Sequence, residues 1–349
     1  MIYRMPEYCR DFHCIAGDCR DSCCKGWEID IDSDTALYYE SIGGKFGERL
    51  RNNINSGSFV LTEDERCPFL NKQGLCDIYI ELGEDKLCKI CSDHPRYYEW
   101  FGCVKEGGIG LCCEAAADII LSSPFSLCEY EVPDEDASGD YDEELFALLL
   151  RTREEIFSVL QNEDIPLHEA LCTMLDIADD AESCIDMPRS EQNPCSDTKA
   201  ALHSIFGFLS ELEPIDENWQ PYITDCAAKL ESSSAYSAEF TPYLRRIAVY
   251  MIYRYLLKSV YDGEVSGYAK FAAVSVIVIA MLFRCKAAES GQCSFADCSE
   301  IAKNYSKETE YCEENMEMLI ENFRTEAFFS SESLKNILSY TFDYNVGVI

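Results

Sequence analysis

Thirteen of the 21 cysteines fall in the first 128 residues, and five of them lie within positions 9–24: Cys9, Cys14, Cys19, Cys23 and Cys24. Thiols crowded into one part of a chain have two common chemistries, disulfide bonding or ligation of a soft metal. The opening MIYRMPEYCRDFHC has no apolar stretch of signal-peptide length. A chain of 349 residues buries an ample core without covalent staples, and an odd number of cysteines cannot pair completely. These features place the thiols in a reducing, cytoplasmic setting, as ligands of a metal or an iron–sulfur cluster.

The densest string is Cys14-x4-Cys19-x3-Cys23-Cys24. Short gaps of this kind let one loop wrap several sulfurs around a centre. Side chains of adjacent residues diverge, so Cys23-Cys24 implies one ligand with a bridging or supporting thiol, or two centres. The spacing points to metal without choosing which. A second set follows in Cys67-Pro68-Phe69-Leu70, Gly74-Leu75-Cys76, Cys88-x2-Cys91 and Cys112-Cys113, all within 47 residues. Cys113 precedes a predicted helix, whose N-terminal dipole favours a thiolate. His94 reads as a polar loop residue, and His13, His168 and His203 form neither a metal nor a triad pattern. The eight cysteines from Cys172 to Cys312 are scattered and read as core or surface thiols.

The elements that must position these residues divide at an acidic stretch. Residues 129–144 hold nine carboxylates in sixteen positions with a proline and a glycine, which reads as a linker. Three parts result: a cysteine-rich metal or iron–sulfur domain over 1–128, the linker over 129–144, and a helical bundle over 145–349. The predicted fold class is mostly α, with an irregular N-terminal domain carrying a small β-hairpin. In the first part, Ser33–Ile42 reads as a helix capped by Ser33 or Asp34. The hairpin runs from Arg96–Cys103 into Ile109–Cys112 with its turn at the KEGG segment, and a helix follows over Glu114–Leu121. In the second part, helical stripes recur at Leu145, Leu149, Ile156 and Leu160, and at Leu167, Leu171 and Leu175 behind Pro166. Further helices are predicted near 198–212, 217–231, 242–261, 265–286, 308–323 and 332–340. The longest apolar run, Phe271–Phe283, rises only about 20 Å as a helix and reads as a buried core segment, so no membrane span is expected.

The net charge is −35, and it is divided unevenly. Residues 1–128 carry 13 basic and 22 acidic side chains, a balance of −9, which leaves −26 for the remainder. Such a field excludes nucleic acid and anionic membranes as partners and attracts lysine-rich polypeptide. There is no dinucleotide-binding fingerprint, because Gly107-Gly108-Ile109-Gly110 joins a predicted hairpin and does not open a long helix. The CxxxCxxC string is also absent. Trp27, Tyr97, Tyr98 and Trp100 are candidates to line a pocket for a sulfonium or a lysine stem.

Taken in order, Cys14-x4-Cys19-x3-Cys23-Cys24-x-Gly26-Trp27-x-Ile29-Asp30, Cys67-Pro68-Phe69-Leu70, Gly74-Leu75-Cys76, Leu82-Gly83-Glu84, Cys91 with Pro95-Arg96, and Cys113-Glu114 resemble the flagellin lysine N-methylase family. The likeness continues through Tyr243-Leu244 to Tyr261-Asp262-Gly263 and the apolar helix that follows. The resemblance implies a cytoplasmic enzyme that methylates lysine ε-amines of flagellin from S-adenosylmethionine. It further implies an iron–sulfur cluster, of the 4Fe-4S type, with zinc as the alternative metal. The implied ligand set is Cys14, Cys19, Cys23, Cys24, Cys67, Cys76, Cys91 and Cys113; Cys9, Cys88, Cys103 and Cys112 are additional thiols. An iron with an open coordination site would anchor the amino and carboxylate groups of the donor. No residue declares itself as the base. Two other readings of the residues are a zinc-stabilised scaffold that binds a basic partner and an iron–sulfur redox protein.

Overall fold

The computed structural model describes the whole chain except residues 27–28, 134–140, 186–191, 234 and 343–349. Its first region is built on a four-stranded mixed sheet, not on a hairpin alone. β1 (Ile2–Pro6) lies between two distant partners, pairing parallel with β5 (Val104–Ile109) and antiparallel with β6 (Leu127–Glu131). β4 (Arg96–Phe101) completes the order β4-β5-β1-β6. The two remaining strands, β2 (Ile54–Asn55) and β3 (Ser58–Phe59), form a small separate ribbon. The β4–β5 hairpin turns at Gly102-Cys103, with Gly102 at a φ of 55°, and not at KEGG. Gly107 and Gly108 lie inside β5, where the rings of Tyr3 and Tyr97 cover them. A Cβ there would stand 2.5 Å and 2.4 Å from the two tyrosine hydroxyls. The first residues of the expected acidic linker are therefore strand β6, and residues 134–140 of it lie outside the described ones.

Between β1 and β4 run four short helices: α1 (Ser33–Ser41), α2 (Gly44–Asn52), α3 (Asp77–Leu82) and α4 (Lys89–Asp93). The cap of α1 is Asp32, whose carboxylate accepts from the Thr35 N–H at 3.0 Å, one residue before the predicted caps. These elements enclose a small core of their own around Ile29, Tyr39, Leu50, Phe59, Phe69 and Ile78.

The sheet and α5 (Glu114–Ser122) belong instead to one large core shared with the helices that follow. α6 (Glu143–Leu160), α7 (Leu167–Ser183), α8 (Thr198–Leu209) and α9 (Trp219–Lys229) begin the bundle. α10 (Thr241–Tyr255), α11 (Ser259–Asp262), α12 (Val265–Ser290), α13 (Phe295–Glu310), α14 (Glu313–Thr325) and α15 (Ser331–Thr341) complete it. The apolar run Phe271–Phe283 sits in α12, which reaches 26 residues because the small and polar positions around it are buried as well. α12 is long and apolar enough to cross a membrane, yet 83% of its most apolar window is inside the protein. It is the central core helix, against which α7, α10 and α13–α15 pack.

α13 has no counterpart among the predicted helices. Its apolar stripe is short, Cys298, Ile301, Ala302 and Tyr305, and it is interleaved with buried Ser299, Lys303, Ser306, Glu308, Thr309 and Glu310. A reciprocal capping box between Ser294 and Asp297 starts it.

Sheet and bundle are joined by a buried ion pair. Arg153 of α6 meets both carboxylate oxygens of Glu106 in β5 at 2.6 Å, and Arg4 of β1 reaches the same carboxylate at 3.2 Å. The Tyr253 hydroxyl donates to backbone oxygens of Arg4 and Gly107, at 3.1 and 2.9 Å. Paired this way, the charges are satisfied inside the protein, and removing one partner would leave the other stranded.

Candidate functional site

The thiols fall into two sets that meet at Cys23-Cys24. The first set lines the small core. Cys67 and Cys88 are buried in it, with Cys24, Cys76 and Cys91 packed against it. Backbone bonds fix their relative positions: the Cys67 N–H donates to Cys24 O at 2.8 Å, the Cys91 N–H to Cys88 O at 3.0 Å, and Cys76 bridges Leu70. Burial pushes the Cys67 thiol up to about 12 and raises Cys76 as well. In the Cys88–Cys91 pair a shared hydrogen bond lowers Cys88 and raises Cys91. Cys88, left outside the implied ligand set, is thus an integral member of this group.

The second set lies on a seam between the 14–23 loop, the start of α5 and α13. Cys23 faces Cys14 and Cys113, Cys113 faces Cys14, and Cys19 faces Cys113. Charged contacts hold the loop in place. Arg20 donates from its backbone N and Nε to Glu114 at 2.9 and 2.8 Å, and from Nη1 to Glu300 at 2.8 Å. Asp21 receives Lys303 at 3.2 Å and Lys307 at 3.3 Å. Burial would raise the Asp21 carboxyl, but the two lysines outweigh it and hold it below its ordinary value. Lys303 keeps only 4% of its side chain exposed, so a positive charge is fixed beside the thiols. Burial raises Cys19 to about 11, with Lys303 pulling in the opposite direction. The loop also rests on the turn before Cys76, where Gly17 meets Leu75 so closely that a Cβ would stand 3.1 Å from it.

Cys23 and Cys24 link the two sets through a hydrogen bond that raises Cys23 and lowers Cys24 to about 7. All eight predicted ligands thus occur in one or other set. Among the described residues, no three Cys, His, Asp or Glu side chains close on a single ion. A zinc tetrahedron gathers its sulfurs around one point, whereas the sulfurs of a cluster are held apart by the irons between them. The donors are all soft thiols, a set that serves zinc and iron–sulfur clusters alike.

The additional cysteines separate by location. Cys103 is exposed at the hairpin turn, and burial pushes Cys9 up to about 12. The scattered thiols of the bundle are less scattered than their numbering suggests. Cys293 and Cys298 Sγ atoms lie 3.5 Å apart, and Cys226 on α9 is hydrogen-bonded with Cys285 on α12. His94 is not a ligand in either set; burial lowers its imidazole to about 4.

Next to the seam stands an aromatic cluster formed by both regions. Arg254 of α10 is surrounded by four rings, with its guanidinium carbon 4.5 Å from the Tyr97 centroid, 5.2 Å from Tyr255, 5.2 Å from Tyr311 and 5.9 Å from Tyr250. It pairs with Glu310, the last residue of α13, at 2.9 Å. Tyr311 shares a hydrogen bond with Cys112, the neighbour of Cys113. Only glycine fits at position 110, where a Cβ would stand 2.0 Å from the Tyr311 hydroxyl. Of the aromatic residues proposed for a pocket, Tyr97 belongs to this cluster. Tyr98 and Trp100 instead stand 4.8 Å from Lys105 Nζ, and Trp27 lies outside the described residues.

Residues 195–337 match the family model described as the FliB lysine N-methylase C-terminal domain. Over that region, the chain is similar to the FliB lysine N-methylase family. The matched segment runs from just before α8 into α15, so it supplies Lys303, Lys307, Arg254, Glu310 and Tyr311, while the thiol loops precede it. Two curated relatives named lysine-N-methylase, from Salmonella choleraesuis and Salmonella typhimurium, are each 28% identical over 132 residues, 35% of this chain. The match spans about a third (33%) of the length of these methylases. A third relative, the flagellar biosynthetic protein FliU of Salmonella muenchen, is 27% identical over 132 residues and is covered over 78% of its length. No solved structure matches the chain.

Proposed function

We propose that this protein is a lysine N-methyltransferase that uses S-adenosylmethionine and a cysteine-bound iron–sulfur cluster, with flagellin as its substrate. The observation that carries this reading is where the methylase-family region lies: its helix α13 forms the wall of the thiol seam. Cys14, Cys19, Cys23 and Cys113 are the residues that would hold the cluster. When bound, it supplies an iron able to take the amino and carboxylate groups of the methyl donor.

The chain's own residues do the remaining work. Lys303 and Lys307, directed at Asp21, supply fixed positive charge against the negative charge of assembled thiolates. Arg20 clamps the loop to both α5 and α13, so the thiols and the bundle move as one body. Methyl transfer requires a neutral lysine amine, so the substrate site must desolvate the amine or supply a base. A net charge of −35 draws lysine-bearing polypeptide toward the protein.

The test is anaerobic purification followed by iron, zinc and absorption measurements, then mass spectrometry of flagellin incubated with the protein and S-adenosylmethionine. A brown protein that adds 14-dalton increments to flagellin lysines is the expected result. Colourless, zinc-loaded protein that leaves lysines unmodified would overturn the reading.

A further inference from the structure

Two of the bundle's thiols are set face to face across a helix–helix contact. Cys226 of α9 and Cys285 of α12 share a hydrogen bond, and Cys285 Sγ stands 3.9 Å from Cys226 O. Their facing is fixed from one turn away. Lys229 of α9 and Glu289 of α12, three and four positions beyond the two cysteines, form an ion pair at 2.6 Å. Residues at these spacings share a helix face, so the same two faces carry the salt bridge and the sulfurs.

Each cysteine keeps only 2% of its surface exposed, and burial alone would make such thiols inert. These two, however, line a cavity of about 270 Å³ together with Lys286, Glu289, Asp297 and Glu300. The cavity brings a small reagent to both sulfurs, and its charged lining suits a polar one. The hydrogen bond also divides the pair unequally. With Cys226 donating, Cys285 is lowered and Cys226 raised, and Arg284 draws Cys285 down further. The Cys285 sulfur is thus the nucleophile, and Cys226 is the second thiol within its reach.

We propose that Cys226 and Cys285 are a peroxide-reactive dithiol, a modification site distinct from the seam thiols, which closes to a disulfide between α9 and α12. The Cys285 thiolate attacks one oxygen of hydrogen peroxide; the O–O bond breaks, and the departing hydroxide takes up a proton to become water. The Cys226 sulfur then attacks the sulfenic acid so formed. An S–S bond replaces the S–O bond, and the hydroxyl leaves with the Cys226 proton as a second water. Two thiols give up two electrons, and one peroxide is reduced to two waters. Thiol reductants reverse the linkage by exchange. The cavity is walled in part by α13, whose Glu300 also holds Arg20 of the cysteine loop at 2.8 Å. α13 therefore borders both the dithiol and the seam, and the site needs nothing from the methylation reading.

The test is made on the full, metal-loaded chain, treated with a small excess of hydrogen peroxide, alkylated, and digested without reduction for mass spectrometry. The expected product is a peptide pair joined at Cys226 and Cys285, two hydrogens lighter than the separate thiol peptides and cleaved by dithiothreitol. It should form ~10-fold or more faster than oxidation of Cys172 on α7, whose thiol burial raises to about 11. Cys226→Ala should stop the reaction at the sulfenic acid, which dimedone labels at Cys285. Cys285→Ala should leave Cys226 unlabelled and unlinked. Because the linkage is read on the wild type, the test stands even where a variant fails to fold. Both cysteines alkylated as fully after peroxide as before, or linked only once urea has unfolded the chain, would overturn the proposal. Linkage of Cys285 to any other cysteine would overturn it as well.

Discussion

The same side chain, cysteine, is placed in two opposite surroundings in this molecule. Around Phe69 the thiols are set among Ile29, Tyr39, Leu50, Phe59 and Ile78, with apolar neighbours and backbone bonds to position them. Along the seam the thiols stand among Arg20, Asp21, Glu114, Lys303 and Lys307. An apolar wall penalises a thiolate, so charge in the small core must be neutralised by whatever the thiols bind. The seam carries counter-charges built in advance and can tolerate a change of charge during a reaction. On the proposed reading, the small core serves structure and the seam serves chemistry.

That contrast can be broken at several points. Phe69 is fully buried and touches Phe46 and Phe59, so Phe69→Ala should cost about 3–5 kcal/mol and unfold the small core first. Hydrogen exchange should show residues 29–91 losing protection while α12 keeps its own; equal loss in both would refute independent cores. Next in size is Cys88→Ser, which puts a hydroxyl into the apolar site and should cost about 1–3 kcal/mol by urea denaturation. Its seam counterpart, Cys23→Ser, should lower iron content and methyl transfer sharply with a much smaller change in the urea midpoint. If the two variants behaved alike, the division of roles would be wrong.

Lys303→Met tests the seam's fixed charge. Asp21 would keep only Lys307, and its partial exposure limits the stability loss to about 1 kcal/mol, while iron should be lost more readily. Iron retention equal to the wild type would remove the charge argument. The smallest effect concerns pH. Burial lowers the His94 imidazole from its ordinary value of 6.5 to about 4, so its contribution is present above pH 6.5 and is lost as pH falls toward 4. His94→Phe should flatten the fall in stability across that window and change little at neutral pH; an unchanged acid profile would exclude the histidine as its source.

Much of the bundle was legible because apolar periodicity reports burial directly. The stripes of α6 and α7 appear as Leu149, Ile156 and Leu160, and as Leu171 and Leu175, all fully buried. α13 escaped because periodicity responds to apolar residues, and this helix buries a lysine, two glutamates and several hydroxyls. Its signal was Ser294-x-x-Asp297, a capping box followed by the short stripe Cys298, Ile301, Ala302 and Tyr305. The sheet escaped for a different reason: β1 pairs with strands about a hundred residues away, and register at that distance leaves no local mark. The thiol clustering was legible from spacing, but its division was not. Cys88 joins the small core, and Cys112 joins Tyr311, only through folding. The aromatic cluster combines Tyr97 from the sheet with Arg254, Glu310 and Tyr311 from the bundle, and no single stretch of chain contains it.

The central place of β1 has a consequence for synthesis. At roughly 5–20 residues per second, this strand leaves the ribosome some 5–20 seconds before its neighbour β5 is complete. The wait is longer at the seam, since Asp21 and Lys307 are 286 residues apart. Throughout that interval the cysteine loop is a nascent segment without its wall. The pocket that would receive a cluster therefore comes into being only after α13 has emerged.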